Sequence, residues 1–388
     1  MTTEKATNLV DMRTSNVLLI MNILRREPCS RANIAKLTGL SRSAITIIVD
    51  DLLQRGVIEE TSTSRNGTGR KALDLKLSPS AAYIVGVHLR SQKYSIGIFD
   101  FGGKLLRAVE CDYEPVFVSA SQLLKIGSEI ISLVEGEGIE SGKVLGVGIC
   151  ASGPVDVGAG KVTRLSSIWH EVEIVKVLES TLPWKCFLEN RSNARALYEK
   201  LYGTCREISN FVYFKVDEAV GGAIIYRDEI LGGYKGFGNE FGHTTIKFDG
   251  EVCECGNIGC LNLYASIPSI LKQFSGLNMS SWEEVVDAAY SGDSLAIQAL
   301  KQEADYISAG VVNLCNIIEP EAIVLAGDIT YRAGLLIALI RENCSVRHIL
   351  RNVYNPQILI SEQTDSINIR SAAAIVIEEF YLGNIMFF

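Results

Sequence analysis

The chain of 388 residues is 47% hydrophobic and 21% charged, with ten cysteines and a net charge of −8. That length suggests two or three domains, and that composition suggests a sizeable core, which excludes a disordered chain. No run of about 18 apolar residues occurs, so no membrane span is expected, and the first residues lack the apolar stretch of a secretory signal. Cysteines without an evenly spaced framework fit a reducing, cytoplasmic setting. Net acidity argues against nucleic acid, but the charge is unevenly spread: residues 1–80 carry +4 and the remainder −12. A small basic segment on an acidic body is the asymmetry of a DNA-reading head on a sensor. So small an excess also arises by chance, so the motifs must carry the reading.

The head comes first. Residues 15–26 carry Val17, Leu18, Ile20, Met21 and Leu24 at helical spacing, and Pro28 closes that helix. Ser30 caps a second helix over 31–37. A turn containing Gly39 follows, and Ser41 caps a third helix over 42–54, stopped by Gly56. Helix, glycine turn and helix at this spacing make the helix-turn-helix unit. Strands at 57–58 and 73–77, flanking a polar stretch that ends in Arg70 and Lys71, make it a winged one. The start of the third helix would meet base edges in the major groove, which makes Ser41, Arg42, Ser43 and Thr46 candidate DNA contacts, with Arg31 beside them. Arg42 suits either guanine or phosphate, and Arg70 and Lys71 suit phosphate or the minor groove. The competing reading is a helical adaptor with a solvated hairpin.

Leu77-Ser78-Pro79-Ser80 marks the boundary with the body. Strands are expected at 83–89, 94–99, 104–110, 144–149 and 186–189, with helices at 123–134 and 192–202. Strands at 211–216 and 223–226, a mostly helical stretch over 282–317, strands at 323–325 and 358–360 and a final helix near 371–381 complete the pattern. Strands followed by interleaved helices, occurring twice, suggest two related α/β lobes with a cleft between them. Within the second half, His243, Cys253, Cys255 and Cys260 lie close together around Gly256 and Gly259. Thiolates and an imidazole in this set suit one tetrahedral zinc with no open position, a structural site. The other cysteines read as core thiols. His170, beside Trp169, reads as a loop residue near the cleft.

These residues resemble the ROK family, named for repressors, open reading frames and kinases of sugars. The most specific match is Glu240-Phe-Gly-His243 followed by Cys253-x-Cys255-Gly-x-x-Gly-Cys260-Leu261. Weaker matches are 148–156, 188–197, Val220-Gly221-Gly222 and 320–327. The resemblance implies an actin/hexokinase-like α/β body of two lobes behind a winged helix-turn-helix head. Residues 1–78 would be the DNA-binding domain and 79–388 the body. Residues 79–190 plus the C-terminal helix would form the first lobe, and 191–370 the second, with the zinc loop at 243–260.

The departures from the family's kinases bear on function. Where those kinases keep an acid and a glycine pair after the first body strand, this chain has His88 and no glycines, so a nucleotide phosphate would lack its cradle. Where they keep the aspartate that takes a proton from the sugar, it has Arg191, which stays protonated. Nothing in the spacing of Asp156 or Asp217 favours either as a substitute. No catalytic residue is therefore expected. Ser152, Asn190, Arg191, Glu240, His243 and Asn262 are expected to line a site for a sugar or sugar derivative. Arg191 and the uncharged Asn262 allow an anionic ligand; the alternative is that Arg191 pairs with Glu189 or Glu240. The expected function is a cytoplasmic sugar-responsive regulator, most simply a repressor, bound to operator DNA as a homodimer or homotetramer and not to membrane. A sugar kinase with an added head, or a repressor controlled by a protein partner, are the rival readings.

Overall fold

The computed structural model describes residues 9–62, 73–90, 92–113, 119–163, 172–234, 236–275, 279–364 and 366–386. The chain divides into two units. Unit 1 is Met1–Ser152, Gly160–Glu189 and Ala372–Phe388, and unit 2 is Gly153–Ala159 and Asn190–Ser371.

Unit 1 begins with the head. Helix α1, Leu9–Arg26, buries Val17, Ile20, Met21 and Leu24, the face expected from their spacing. Strand β1, Cys29–Ser30, is short because Ser30 at once caps α2, Arg31–Thr38, by accepting from the Asn33 N–H. Gly39 ends α2 at φ +71°, a left-handed backbone that favours glycine. Ser41 then caps α3, Arg42–Gln54, whose inner face is Ile45, Ile48, Val49 and Leu52. Strands β2, Ile58–Ser62, and β3, Leu73–Leu77, pair antiparallel, and β1 adds to the far side of β3, giving the order β1-β3-β2. The expected helices and both wing strands are present, with β2 longer than the sequence suggested. The wing tip with Arg70 and Lys71 lies outside the described residues.

The body half of unit 1 is a five-stranded sheet. Strands β4, Tyr83–Leu89, β5, Lys93–Asp100, and β6, Leu105–Asp112, form an antiparallel meander. Helix α4, Ala120–Gly136, leads to β7, Val144–Ala151, which pairs parallel to β4. Short strands β8, Val155–Asp156, and β9, Lys161–Val162, and helix α5, Ile174–Glu179, precede β10, Cys186–Asn190, on the outer side of β7.

Unit 2 repeats this topology. Helix α6, Arg191–Leu201, leads into strands β11, Phe211–Val216, β12, Val220–Tyr226, and β13, Glu229–Ile230, an antiparallel meander. Helices α7, Asn262–Ala265, α8, Ile267–Gln273, α9, Trp282–Tyr290, and α10, Ser294–Ile318, come next. Strand β14, Ala322–Ala326, pairs parallel to β11; helix α11, Gly334–Arg347, and β15, Gln357–Ile360, follow. The sheet orders, β10-β7-β4-β5-β6 and β15-β14-β11-β12-β13, are the same pattern twice. Helix α12, Ile367–Tyr381, begins in unit 2 and ends in unit 1.

Strand β11 is apolar on both faces because helices cover both. Val212, Phe214 and Val216 join the core under α7 to α11, while Phe211 and Tyr213 join Ala196 of α6 on the other side. The helical stretch expected over 282–317 is two helices, because Gly292 turns at φ +91° and Asp293 caps α10.

Candidate metal centre and ligand face

The Cys/His loop is shaped by two glycines. Gly256 and Gly259 adopt φ +90° and +67°, and a Cβ on Gly259 would fall 1.6 Å from the Lys247 carbonyl oxygen. Only glycine fits there. Backbone bonds Cys253 N–H to Asn257 O (2.8 Å), Gly259 N–H to Glu251 O (2.8 Å) and Ile246 N–H to Gly259 O (2.9 Å) close the loop on itself. It brings one ligand atom each from His243, Cys253, Cys255 and Cys260 within 4.8 Å of one another. His243 Nδ1 is 3.6 Å from Cys253 Sγ, and Cys255 Sγ is 3.7 Å from Cys260 Sγ. Those are tetrahedron edges: bonds of about 2.3 Å to sulfur imply edges of about 3.7 Å. The four residues read from spacing thus converge, and their donor chemistry fits a metal ion. Asn257, unnoticed in the sequence, supports them. Its amide donates to the His243 carbonyl oxygen (3.1 Å), to Thr245 Oγ1 (3.0 Å) and to Cys260 Sγ (3.4 Å). The Asn257 N–H holds the Cys255 thiol below its ordinary value, while burial pushes Cys260 up to about 12. A metal would ionise both.

The same loop begins at a second cluster. Asn190 caps α6, its Oδ1 accepting from the Ser192 N–H (2.7 Å), and its Nδ2 donates to the Gly153 carbonyl oxygen (2.8 Å). The far end of α6 is pinned: Arg195 donates to Ser361 Oγ (2.9 Å), which donates to Glu199 (2.5 Å). Asn239 takes φ +70°, and its amide donates to Leu231 O (2.9 Å) and reaches Asn193 on α6 (3.5 Å). Glu240 follows at once. Beyond it, Phe241–His243 form a 3-10 turn laid against β12. That approach needs glycines: a Cβ on Gly222 would sit 2.3 Å from the Phe241 ring, and one on Gly242 2.3 Å from the Val220 carbonyl oxygen. Burial raises the Glu240 carboxyl above the usual range, and His243 draws it partly back. Asn262 accepts from the Val220 N–H (2.8 Å), so its amide oxygen already holds the β12 end.

Asn190, Arg191, Glu240, His243 and Asn262 all belong to unit 2. Ser152 belongs to unit 1, just past β7. Arg191, the first residue of α6, is partly buried and makes neither a hydrogen bond nor an ion pair among the described residues. Pairing with Glu189 or Glu240 is therefore not what the structure shows. Sequence reading missed Lys215, a lone cation in the apolar strand β11, ion-paired with Asp217. Burial lowers its pKa, Arg191 lowers it further, and Asp217 opposes both. Asp217 also accepts from the Ala219 N–H (3.2 Å), and Asp156 accepts from the Ala159 N–H (3.0 Å), so both acids have structural duties.

In the head, Ser41 Oγ accepts from the Ala44 N–H (3.2 Å) and lies 3.0 Å from Ser43 Oγ. Thr46 Oγ1 donates back to the Arg42 carbonyl oxygen (2.9 Å). Arg42, Ser43 and Thr46 are exposed on α3. Arg31 instead bonds Asp50 (2.7 Å) and approaches Glu60 (3.8 Å), tying α2 to α3 and to the wing. Ile47, 65% exposed beside Thr46, was overlooked. Its place off the buried face set by Ile45, Ile48 and Val49 was the available signal. His170 lies outside the described residues.

A helix-turn-helix head, a duplicated actin/hexokinase-like α/β body and a Cys3His loop in its second half define a class of protein. The chain belongs to the ROK family, whose model matches residues 85–379. It is similar to the xylose repressor of Caldicellulosiruptor bescii, 27% identical over 382 residues, covering 94% of this chain and 96% of the relative. Its fold is similar to that of a ROK family transcriptional regulator, a homologue of the Escherichia coli MLC protein. There the TM-score is 0.82 at 23% identity, over 96% of this chain and 97% of that one. A ROK hexokinase from Thermus thermophilus matches with a TM-score of 0.64 at 24% identity, over 77% of this chain and 99% of the enzyme.

Proposed function

We infer that the protein is a sugar-responsive transcriptional repressor: the head binds operator DNA, and the body holds a sugar or sugar derivative as effector without phosphorylating it. The observation that carries this is the pairing of an exposed recognition face on α3 with a ROK body in which Arg191 opens α6. A guanidinium cannot take a proton from a sugar hydroxyl. The similarity to a xylose repressor over nearly the whole of both chains supports the same reading.

On the DNA side, Arg42, Ser43 and Thr46 reach base edges and phosphates, Ile47 offers an apolar contact for a thymine methyl, and Arg70 and Lys71 contact the backbone from the wing. A homodimer, alone or paired into a tetramer, places two heads on paired half-sites. On the ligand side, Asn190, Arg191, Glu240, His243 and Asn262 of unit 2 recognise the effector. His243 has two ring nitrogens, and Nδ1 faces the thiols, which leaves Nε2 for the sugar. The Cys3His cluster holds one structural zinc, which when bound fixes the loop that begins at Glu240 and His243. No described helix is long and apolar enough to cross a membrane, and the protein works in the cytoplasm, where its thiols stay reduced.

Effector control requires that the sugar prefer the state that binds DNA poorly. Electrophoretic mobility of the promoter fragment from the protein's own operon, with and without a sugar panel, tests this. The expected result is a shifted band abolished by one sugar class. A band that no sugar affects would sink the reading.

A further inference from the structure

We propose that the effector carries an oxyanion, a phosphate or carboxylate on the sugar, and that Arg191 and Lys215 together bind it. This rests on the reading that the body holds a sugar effector.

Arg191 stands where a cation is least welcome. It is the first residue of α6, at the positive end of the helix dipole, where acids and anions are favoured and a guanidinium is not. Its nearest acids in the chain and in the Asn239–His243 segment, Glu189 and Glu240, are not ion-paired with it, and it has no other described partner. A second cation lies close by. Lys215 is opposite Gly221 in the β11/β12 register, and a Cβ on Gly221 would come 3.5 Å from Ser192 Oγ, the residue after Arg191. The α6 end thus sits over the Lys215–Gly221 pair. Lys215 has one described ion-pair partner, Asp217. Asp328 also acts on Lys215, and Asp217, Glu218 and Glu283 act on Asp328, so the acids of this cluster face Lys215 and one another, and none of them is ion-paired with Arg191.

Arg191 and Lys215 repel each other; Asp217 offsets that repulsion at the lysine, and no acid offsets it at Arg191. A phosphate or carboxylate accepting from the Arg191 fork would relieve that repulsion and satisfy the dipole at once. Glu240 and His243, on the segment that touches Asn193, are then left to the hydroxyls of the ring. A neutral sugar leaves Arg191 unanswered.

Calorimetry on the full chain tests this with xylose, glucose, glucose 6-phosphate, glucuronate and inorganic phosphate, alongside operator release by each. The expected result is binding and release by glucose 6-phosphate or by glucuronate. Which of them acts separates the phosphate from the carboxylate source. Arg191→Gln should weaken that sugar about 10- to 100-fold, the size of a charge-assisted hydrogen bond, and Arg191→Lys should recover part of it. Lys215→Gln gives a second, independent loss, and circular dichroism with a melting curve shows whether each variant folds. Binding and release by xylose or glucose, unchanged in Arg191→Gln, would overturn the anion proposal and leave the repressor standing. Failure of every sugar both to bind and to release DNA would overturn both.

Discussion

Glu303 lies in the core of unit 2, wholly buried on α10, and neither carboxylate oxygen has a hydrogen-bond partner among the described residues. Burial holds its pKa well above the usual carboxyl value. The sign of its linkage follows. The folded state keeps the proton and the unfolded state releases it, so stability is greatest below the unfolded value and falls as pH rises through the window up to the folded one. Glu303→Gln keeps the shape and removes the titration. Melting temperature measured from about pH 5 to about pH 8 should therefore fall less steeply in the variant; identical slopes would show that Glu303 is ionised in the fold. Arg42 poses a sharper question at the same scale, because its exposed guanidinium suits two partners. If it reads guanine, Arg42→Ala costs about 1 to 3 kcal/mol at one operator position and relaxes the preference there; if it holds phosphate, binding weakens uniformly and the salt slope drops by about one. Operator affinities across single-base variants and salt concentrations distinguish the two.

Elements made by local pattern were legible in the sequence. The head's helices follow from Ser30, Gly39 and Ser41, each of which the structure uses as read. The Cys3His cluster was legible because cysteines spaced around glycines leave few alternatives. Helices α5, α7 and α8 were not, because each is a few residues long and gives no full period of apolar spacing. The partners of polar side chains were also hidden. Asn190 and Asn262 suggest ligand contacts in sequence, and nothing in it shows that each amide also bonds backbone that folding alone brings near. Lys215 escaped notice because a strand buried on both faces gives no alternation against which a cation stands out. The Cys3His loop invites its own test. Gly259→Ala would drive a methyl into the Lys247 carbonyl, so the variant should lose bound metal by elemental analysis, while operator binding by the head of the full chain should hold. Full metal content in Gly259→Ala would mean that the loop is softer than its geometry suggests.

Across the whole molecule, α12 is the element that ties body to head within unit 1. Gly148 on β7 has no room for a side chain, because a Cβ would fall 1.9 Å from the Ala372 carbonyl oxygen. At its other end, Tyr381 donates to the Met21 carbonyl oxygen of α1 (3.4 Å), and the Arg25 guanidinium lies 5.4 Å from the Tyr381 ring centre. A Cβ on Gly383 would touch Leu18 at 3.4 Å. Within unit 1, α12 therefore packs on β7 near its start and on the first helix of the head at its end. Tyr381→Ala should leave operator binding in place but reduce the effector's power to release it, by about fivefold or more if the coupling is of ordinary size. An undiminished response would assign the coupling to another route. The central claim, a kinase-like body turned to sensing, is tested most directly by fluorescence anisotropy of the operator fragment with the full-length protein, titrated with sugars in the presence of ATP. Tight, salt-sensitive binding that one sugar class abolishes while ATP stays intact is the expected result. Indifference of the DNA to protein or sugar, or consumption of ATP with a phosphorylated sugar as product, would contradict it.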